Sequence, residues 1–306
     1  MANKKTENRR EDPKRALSSE TADQVGSRRH REVQIRKQLG YFDNPNKVLW
    51  LPPEESGIAE PSQFAHESYH DWRMARIRKT VEILGYDWFK GKKVLELACA
   101  LGQTGSYFRT KLGAKVLFAE GRPELLEAAR DTIKKQDPSV NDDSFIVINQ
   151  DKDWEILDPE TNNRQELDLI LNWGVNYHLV NWKRDIEKTL MHANKVSFET
   201  HVTDSNDVNI VSYRHEYGLD QGLLGIGACP SVAGIEKTFK DNGFVFKRYD
   251  DADLDIAGNS YSWETKNNNS THTYDNHDQT SLLKRRYWFL EKKKTFFNRF
   301  LNLSKK

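Results

Sequence analysis

The apolar stretches of this chain come in short runs, and the pair that constrains the fold most tightly lies between residues 93 and 120. Residues 93–105 read Lys-Val-Leu-Glu-Leu-Ala-Cys-Ala-Leu-Gly-Gln-Thr-Gly, a run of strand length that closes in a turn of small side chains. A second run, Val116-Leu117-Phe118-Ala119, ends on Glu120, 24 residues beyond Glu96. A strand, a small-residue turn, a helix and a strand with an acidic tip form a unit that holds a nucleoside. The turn lets the backbone approach the ligand, and the carboxylate accepts hydrogen bonds from ribose hydroxyls. Such a unit requires parallel strands joined by a crossover helix.

The remainder of the chain continues the alternation. Strands are expected near 93–98, 115–120, 144–149, 168–173, 195–200, 243–249 and 284–290, and helices near 103–112, 123–136, 179–192 and 231–242. Pro123 suits a first helical position, ahead of an apolar face at Leu125, Leu126, Ala128 and Ala129. Gly243 follows the last helix as a C-terminal cap. A further helix is expected from about Phe64, with an apolar stripe at Met74, Ile77, Val81 and Leu84 and Gly85 as its stop. Alternating strands and helices call for an α/β fold, a mainly parallel sheet covered on both faces. Residues 259–282 are polar and lack helical periodicity, so the last two strands should pair antiparallel.

Charge is unevenly spread. Residues 1–38 carry a net +5 and residues 284–306 a net +8, which leaves the body near −12 against a total of +1. An acidic body is a poor platform for duplex nucleic acid, although the basic ends would suit a phosphate backbone or an anionic surface. The expected organisation is a disordered basic tail over 1–30, an extended arm over 31–63, a catalytic domain over 64–291 and a basic amphipathic tail over 292–306. That last tail, with Phe296, Phe297, Phe300, Leu301 and Leu303 among lysines, would lie on a membrane, dock on a partner or pack on its own sheet. Two cysteines, Cys99 and Cys229, give neither a disulfide framework nor zinc spacing. With a polar beginning and no apolar stretch near membrane length, a cytoplasmic location is the expectation.

Residues 66–70 read His-Glu-Ser-Tyr-His, a spacing that sets two imidazoles on one helix face beside a carboxylate. Asp71 and Arg73 follow at once and no third ligand stands nearby, so no metal is expected. The stretch reads either as an arm over the pocket, with Tyr69, Trp72 and Arg73 facing it, or as plain helix packing.

Taken together, these residues resemble a class I S-adenosylmethionine-dependent methyltransferase over roughly 64–291. Within that superfamily they are most similar to uncharacterised bacterial and phage members. The shared features are Tyr-His-Asp-Trp-Arg at 69–73, Leu-Asn-Trp-Gly-Val-x-Tyr-His-Leu at 171–179, and a Pro-Ser helix start continuing to Glu-Lys at 230–237. The resemblance implies a Rossmann-like seven-stranded sheet with an antiparallel last strand, and S-adenosyl-L-methionine as cofactor. It implies that Glu96 orients the methionine amino group through the loop, and that Ala98, Ala100 and Gly102 line the turn. Glu120 would bind the ribose hydroxyls, Gly121 would let the adenine pass, and Asp151 would meet the adenine amino group. Asn172, Trp173 and Gly174 would form the floor beneath the sulfonium. The departure from the pattern is that alanines stand where the first motif usually has glycines. An alanine held at positive φ costs about 1–2 kcal/mol.

A nicotinamide-binding domain would need Gly-x-Gly-x-x-Gly, and Gln103 occupies its third glycine position. Methyl transfer to a hydroxyl or protonated amine needs an aligned acceptor and a base of near-neutral pKa. His178, Glu199 and His201 are the catalytic candidates, with Asp204 beside them. Residues 213–227 form an insertion of the kind that covers an acceptor, and Arg285 and Arg286 would suit an anionic substrate. The acceptor expected is a small molecule or glycan precursor. The Asn/Asp-Pro-Pro-Tyr/Phe signature that marks many methylases of base amines is missing after the fourth strand. A transfer RNA modifier held by the basic tails and a non-catalytic relative with a degenerate turn are the alternatives.

Overall fold

The computed structural model describes residues 67–158, 160–215, 222–256, 259–263 and 283–293. The expected tail over 1–30, the expected arm over 31–63, the expected helix start at 64–66 and the expected C-terminal tail beyond Lys293 lie outside them. Helix α1 (Glu67–Leu84) leads into β1 (Lys93–Leu97), α2 (Gln103–Thr110), β2 (Lys115–Glu120), α3 (Pro123–Gln136) and β3 (Phe145–Val147). Then come β4 (Leu169–Trp173), α4 (Trp182–His192), β5 (Lys195–His201) and a hairpin of β6 (Val211–His215) with β7 (Ile226–Pro230). The chain closes with α5 (Val232–Asp241), β8 (Phe244–Tyr249), the short β9 (Asn259–Ser260) and β10 (Leu283–Lys292).

The main sheet runs β3-β2-β1-β4-β5-β10-β8, with β9 added beside β10. Strands β1 to β5 are parallel, whereas β10 pairs antiparallel with both β5 and β8. The seven expected strands are therefore all present, and the one that lacks a crossover helix is the one that reverses.

Two apolar layers cover the sheet. One packs Ile77, Phe108, Phe118, Leu126 and Ile133 from the α1, α2 and α3 side. The other packs Ile170, Ile186, Leu190, Ile235, Phe239 and Trp288 with α4 and α5. Central β4 is buried at all five positions, as a strand covered on both faces must be. Pro123 opens α3, and the Ser231 hydroxyl caps α5 by accepting the Gly234 N–H at 3.0 Å. No helix among the described residues is long and apolar enough to cross a membrane.

Helix α1 departs from a plain amphipathic helix. Its buried side holds Trp72, Ala75 and Ile77 but also Arg73, Arg76, Lys79 and Thr80. Burying that many polar groups is costly unless each finds a partner. Arg73 and Arg76 find theirs in the site, Lys79 pairs with Glu82, Asp251 and Asp253, and the Thr80 hydroxyl meets Ser197 and Tyr287. The β6–β7 hairpin was expected only as an insertion, because its residues lack the alternation of a core strand.

Candidate active site

In the parallel register, Glu96 of β1 lies opposite Phe118 of β2 and Leu171 of β4, so the carboxyl ends of β1, β2 and β4 form one rim. The chain leaves β1 through a turn with three left-handed residues in alternation: Ala98 and Ala100, each at φ 50°, and Gly102 at φ 70°. The turn is wound tightly enough to bring N–H groups back onto both carboxylates. The Gly105 N–H donates to Glu96 Oε2 at 2.8 Å, and the Ala100 N–H donates to Glu120 Oε2 at 3.0 Å. The other oxygen, Glu120 Oε1, accepts from the Arg122 N–H at 3.0 Å.

Gly105 makes this closeness possible. A Cβ there would stand 2.5 Å from Phe118 and 2.7 Å from Glu96 Oε2, so the start of α2 can press on β1 and β2 only without a side chain. Burial pushes the Glu96 carboxyl up to about 7, although the Gly105 N–H and the Arg73 charge oppose the rise.

Beside this turn opens a cleft of about 440 Å³, solvent included, lined by Glu96, Ala98, Ala100, Arg73, Arg76 and Trp173 among others. Arg73 donates to Gln103 Oε1 at 2.7 Å. Of the residues expected to hold a nucleoside cofactor, Glu96, Ala98, Ala100 and Trp173 line this space. Gly102 does not line it; a Cβ there would strike Ile133 at 2.5 Å, so its place is to seat the turn on α3. Gly121 is covered by Leu223, whose Cδ1 would be 2.7 Å from an added Cβ. The hairpin segment thus arches from the end of β5 to the end of β2.

Asp151 secures the start of α4: its Oδ1 accepts the Asn181 N–H at 2.9 Å, and its carbonyl accepts from the Asn181 side chain at 2.8 Å. The Asn172 side chain turns away from the rim and donates to Asp185 at 2.9 Å and Thr189 at 3.1 Å. Only its backbone can serve the floor. Asp185, which the sequence reading did not single out, is a buried hub that also accepts from Gln150 at 2.8 Å and Asn176 at 3.1 Å. It ties together the loops after β3 and β4. The amides at 150 and 176, which follow strands, and at 172, inside β4, were the available sign.

The catalytic candidates separate into two groups. His178, in the short 3₁₀ turn Asn176–His178, and His201, at the end of β5, both pack on the Tyr177 ring, with centroids 3.9 and 4.3 Å away. Glu199 corrects the expectation, because it has no capacity left as a base. It is wholly buried; Oε2 pairs with Arg76 at 3.2 Å, and Oε1 pairs with Arg285 at 2.9 Å and accepts the Tyr261 hydroxyl at 3.1 Å. Trp72 completes this cluster, its indole N–H donating to Tyr261 Oη at 2.6 Å. Both guanidiniums lie over the Trp72 ring, Arg76 at 3.6 Å and Arg285 at 4.4 Å.

Burial lowers the Arg285 pKa, but Glu199 outweighs it, with help from Tyr177 and Tyr261, so the group is held firmly charged. Arg286 points to the opposite face of β10, onto Asp250 at 2.6 Å and the Tyr261 carbonyl at 3.0 Å. The two arginines expected to act together therefore do not. Arg76 and Tyr261 were not foreseen. The one hint was a second arginine three residues beyond Arg73, on the same helix face.

No family model and no curated protein matches this chain. Among solved structures it is similar to the N-terminal domain of EvdMO1 crystallised in the presence of SAH and D-fucose, with a TM-score of 0.54 and 17% identity over 85% of this chain and 96% of that one. It also aligns with magnesium protoporphyrin IX methyltransferase (ChlM) from Synechocystis PCC 6803 with bound SAM, at a TM-score of 0.48 and 11% identity over 85% and 97% of the two chains. An S-adenosylmethionine dependent methyltransferase from Mesorhizobium loti aligns with a TM-score of 0.45 and 12% identity, covering 72% of this chain and 100% of that one. The likeness to the EvdMO1 domain is one of fold: a mainly parallel Rossmann-like sheet with helices on both faces.

Proposed function

We propose that this chain is an S-adenosyl-L-methionine-dependent methyltransferase acting on an oxygen or nitrogen of a small molecule or glycan precursor. One observation carries the reading. Glu96 and Glu120 stand on adjoining strands and are tied to a single turn by the N–H groups of Gly105 and Ala100.

The residues present fit the cofactor. Glu120 takes backbone N–H groups on both oxygens and the Arg122 guanidinium on Oε1 at 3.4 Å, which leaves Oε2 a second lone pair for a ribose hydroxyl. Leu223 packs where a side chain on Gly121 would stand, so an adenine at this glycine would lie against Leu223. Glu96 would take the methionine ammonium, and Arg73, which lines the same cleft, would take the carboxylate.

When bound, the cofactor supplies an electrophilic methyl on a sulfonium centre. The chain's own residues orient the acceptor and take its proton. His178 and His201, both packed on the Tyr177 ring, are the candidates for that task. The EvdMO1 domain, crystallised with SAH and D-fucose, supports a hydroxyl-bearing acceptor for a chain of this fold.

Calorimetric titration with SAM and SAH tests the reading. Binding in the micromolar range is expected, and no heat up to about millimolar ligand would end it.

A further inference from the structure

Charge is sorted across the cleft. Carboxylates occupy the β1–β3 side, with Glu96, Glu120 and Asp151, while guanidiniums gather where α1, β5 and β10 meet. At that second end Arg76 and Arg285 share the carboxylate of Glu199, so these three buried groups carry one positive charge in excess, with Glu96 the next carboxylate acting on Arg76. Arg285 has all three nitrogens engaged, donating to Glu199, to Asn259 at 2.7 Å and to Tyr177 at 3.1 Å. Arg76 does not. Its Nη1 meets Glu199, but its Nε is buried with no acceptor, although Arg76 itself lines the cleft. A Cβ added to Gly174, at the end of β4, would lie 3.6 Å from Arg76 Nη1. The surplus charge therefore adjoins the floor on which the methyl group would be transferred.

A buried, under-paired guanidinium carries a standing desolvation cost, which an arriving anion offsets. A sulfonium donor would add a second positive charge beside it. We infer that the acceptor substrate carries an anionic group, a carboxylate or a phosphate, which docks against Arg76 with Glu199 and Arg285 fixing the guanidinium from behind. This rests on reading the cleft as a methyl-donor site and adds the substrate class to that reading. Arg76 is then a specificity-determining residue for the acceptor, while Arg285 positions it.

The test is to saturate the full chain with SAH and titrate malonate, inorganic phosphate and the neutral isostere malonamide. Calorimetry and the fluorescence of Trp72 and Trp173, whose rings lie 3.6 and 5.2 Å from the Arg76 guanidinium carbon, report binding. One of the anions should bind alongside SAH at about millimolar concentration and malonamide at least about tenfold more weakly. Whichever anion is tighter distinguishes a carboxylate from a phosphate acceptor. Arg76→Gln should weaken the anion by at least about tenfold and leave SAH affinity within about threefold.

Equal binding of malonate and malonamide would overturn the inference. So would silence of both anions up to about 50 mM, or displacement of SAH by the anion, which would assign Arg76 to the cofactor carboxylate. The malonate–malonamide comparison needs no variant, so it decides the matter even if Arg76→Gln does not fold. If SAH fails to bind, the methyl-donor reading falls by itself. The same titration on the ligand-free chain then still decides whether Arg76 marks an anion site.

Discussion

The two ends of the cleft are built by different means. At the β1–β2 end, backbone N–H groups meet two carboxylates over short spans of chain: Gly105 reaches Glu96 across nine residues, and Ala100 reaches Glu120 across 20. At the β5–β10 end, side chains meet side chains across long spans. Arg76 and Glu199 are 123 residues apart, Arg285 and Glu199 are 86 apart, and Trp72 and Tyr261 are 189 apart. The first end is a turn that any sequence with the right small residues would form. The second exists only once the whole sheet has assembled, so it should couple to stability while the first couples to ligand.

The largest effect should therefore come from the second end. Replacing Glu199 with Gln leaves two buried guanidiniums without their counter-charge, a loss of about 3–5 kcal/mol for a broken buried pair. In a domain of this size that is about 6–20 °C in Tm, read by thermal denaturation. A drop below about 1 kcal/mol would mean that the stacking of both arginines on Trp72 holds the cluster without the carboxylate.

That contrast also explains what could be read from the amino-acid sequence. The strand limits, the reversal of β10 and the turn at 96–105 were legible because each rests on local signals: apolar run length, Pro123 and Gly243, and the lack of a helical stretch over 259–282. Glu199 was misjudged for the complementary reason. An acid at a strand's carboxyl end looks like a base until its neighbours are known, and Arg76, Tyr261 and Arg285 come from three distant segments. Asp185 escaped notice because an acid in a helix's first turn is ordinarily a surface residue favoured by the helix dipole.

Glu96 offers a way to sharpen the comparison through pH. Its folded-state pKa, near 7, lies above the ordinary 4.5 because burial disfavours the ionised form. A carboxyl shifted in this direction contributes stability that is complete below about pH 4.5 and is lost as pH rises towards 7. The ligand-free protein should lose stability over that window, and Glu96→Gln should flatten the profile. A bound methionine ammonium would favour the charged carboxylate, so SAH binding at pH 7 should release roughly half a proton. Titrations in buffers of different ionisation enthalpy would measure it. An unchanged proton count in Glu96→Gln would remove Glu96 from the amino-group site.

Glu120→Ala tests the ligand contact at the first end. Losing a charged acceptor should weaken SAH by about 1.5–3 kcal/mol, roughly 10- to 150-fold in calorimetry. Stability should fall by about 1–3 kcal/mol, because the Ala100 and Arg122 N–H groups lose their acceptor, which is still less than the Glu199 loss. If affinity stayed within about twofold, the ribose site would lie elsewhere.

The smallest effect is the most specific to this turn. Ala98 and Ala100 hold φ at 50°, where an L-residue with a Cβ is strained by about 1–2 kcal/mol. Glycine at either position removes that strain but gains about 0.5–1 kcal/mol of unfolded-state entropy that must be lost on folding. The balance favours each of Ala98→Gly and Ala100→Gly by roughly 0.5–1 kcal/mol, about 1–4 °C in Tm. The two changes are two residues apart in one turn, so the double variant need not show the sum of the two gains. Because Ala98 and Ala100 also line the cleft, the direction of the affinity change carries separate information. Tighter SAH binding in Ala100→Gly would show that the methyl crowds the ligand. A loss of stability in either single variant would show that packing of the methyl outweighs the backbone strain, and the turn would then owe its shape to its side chains after all.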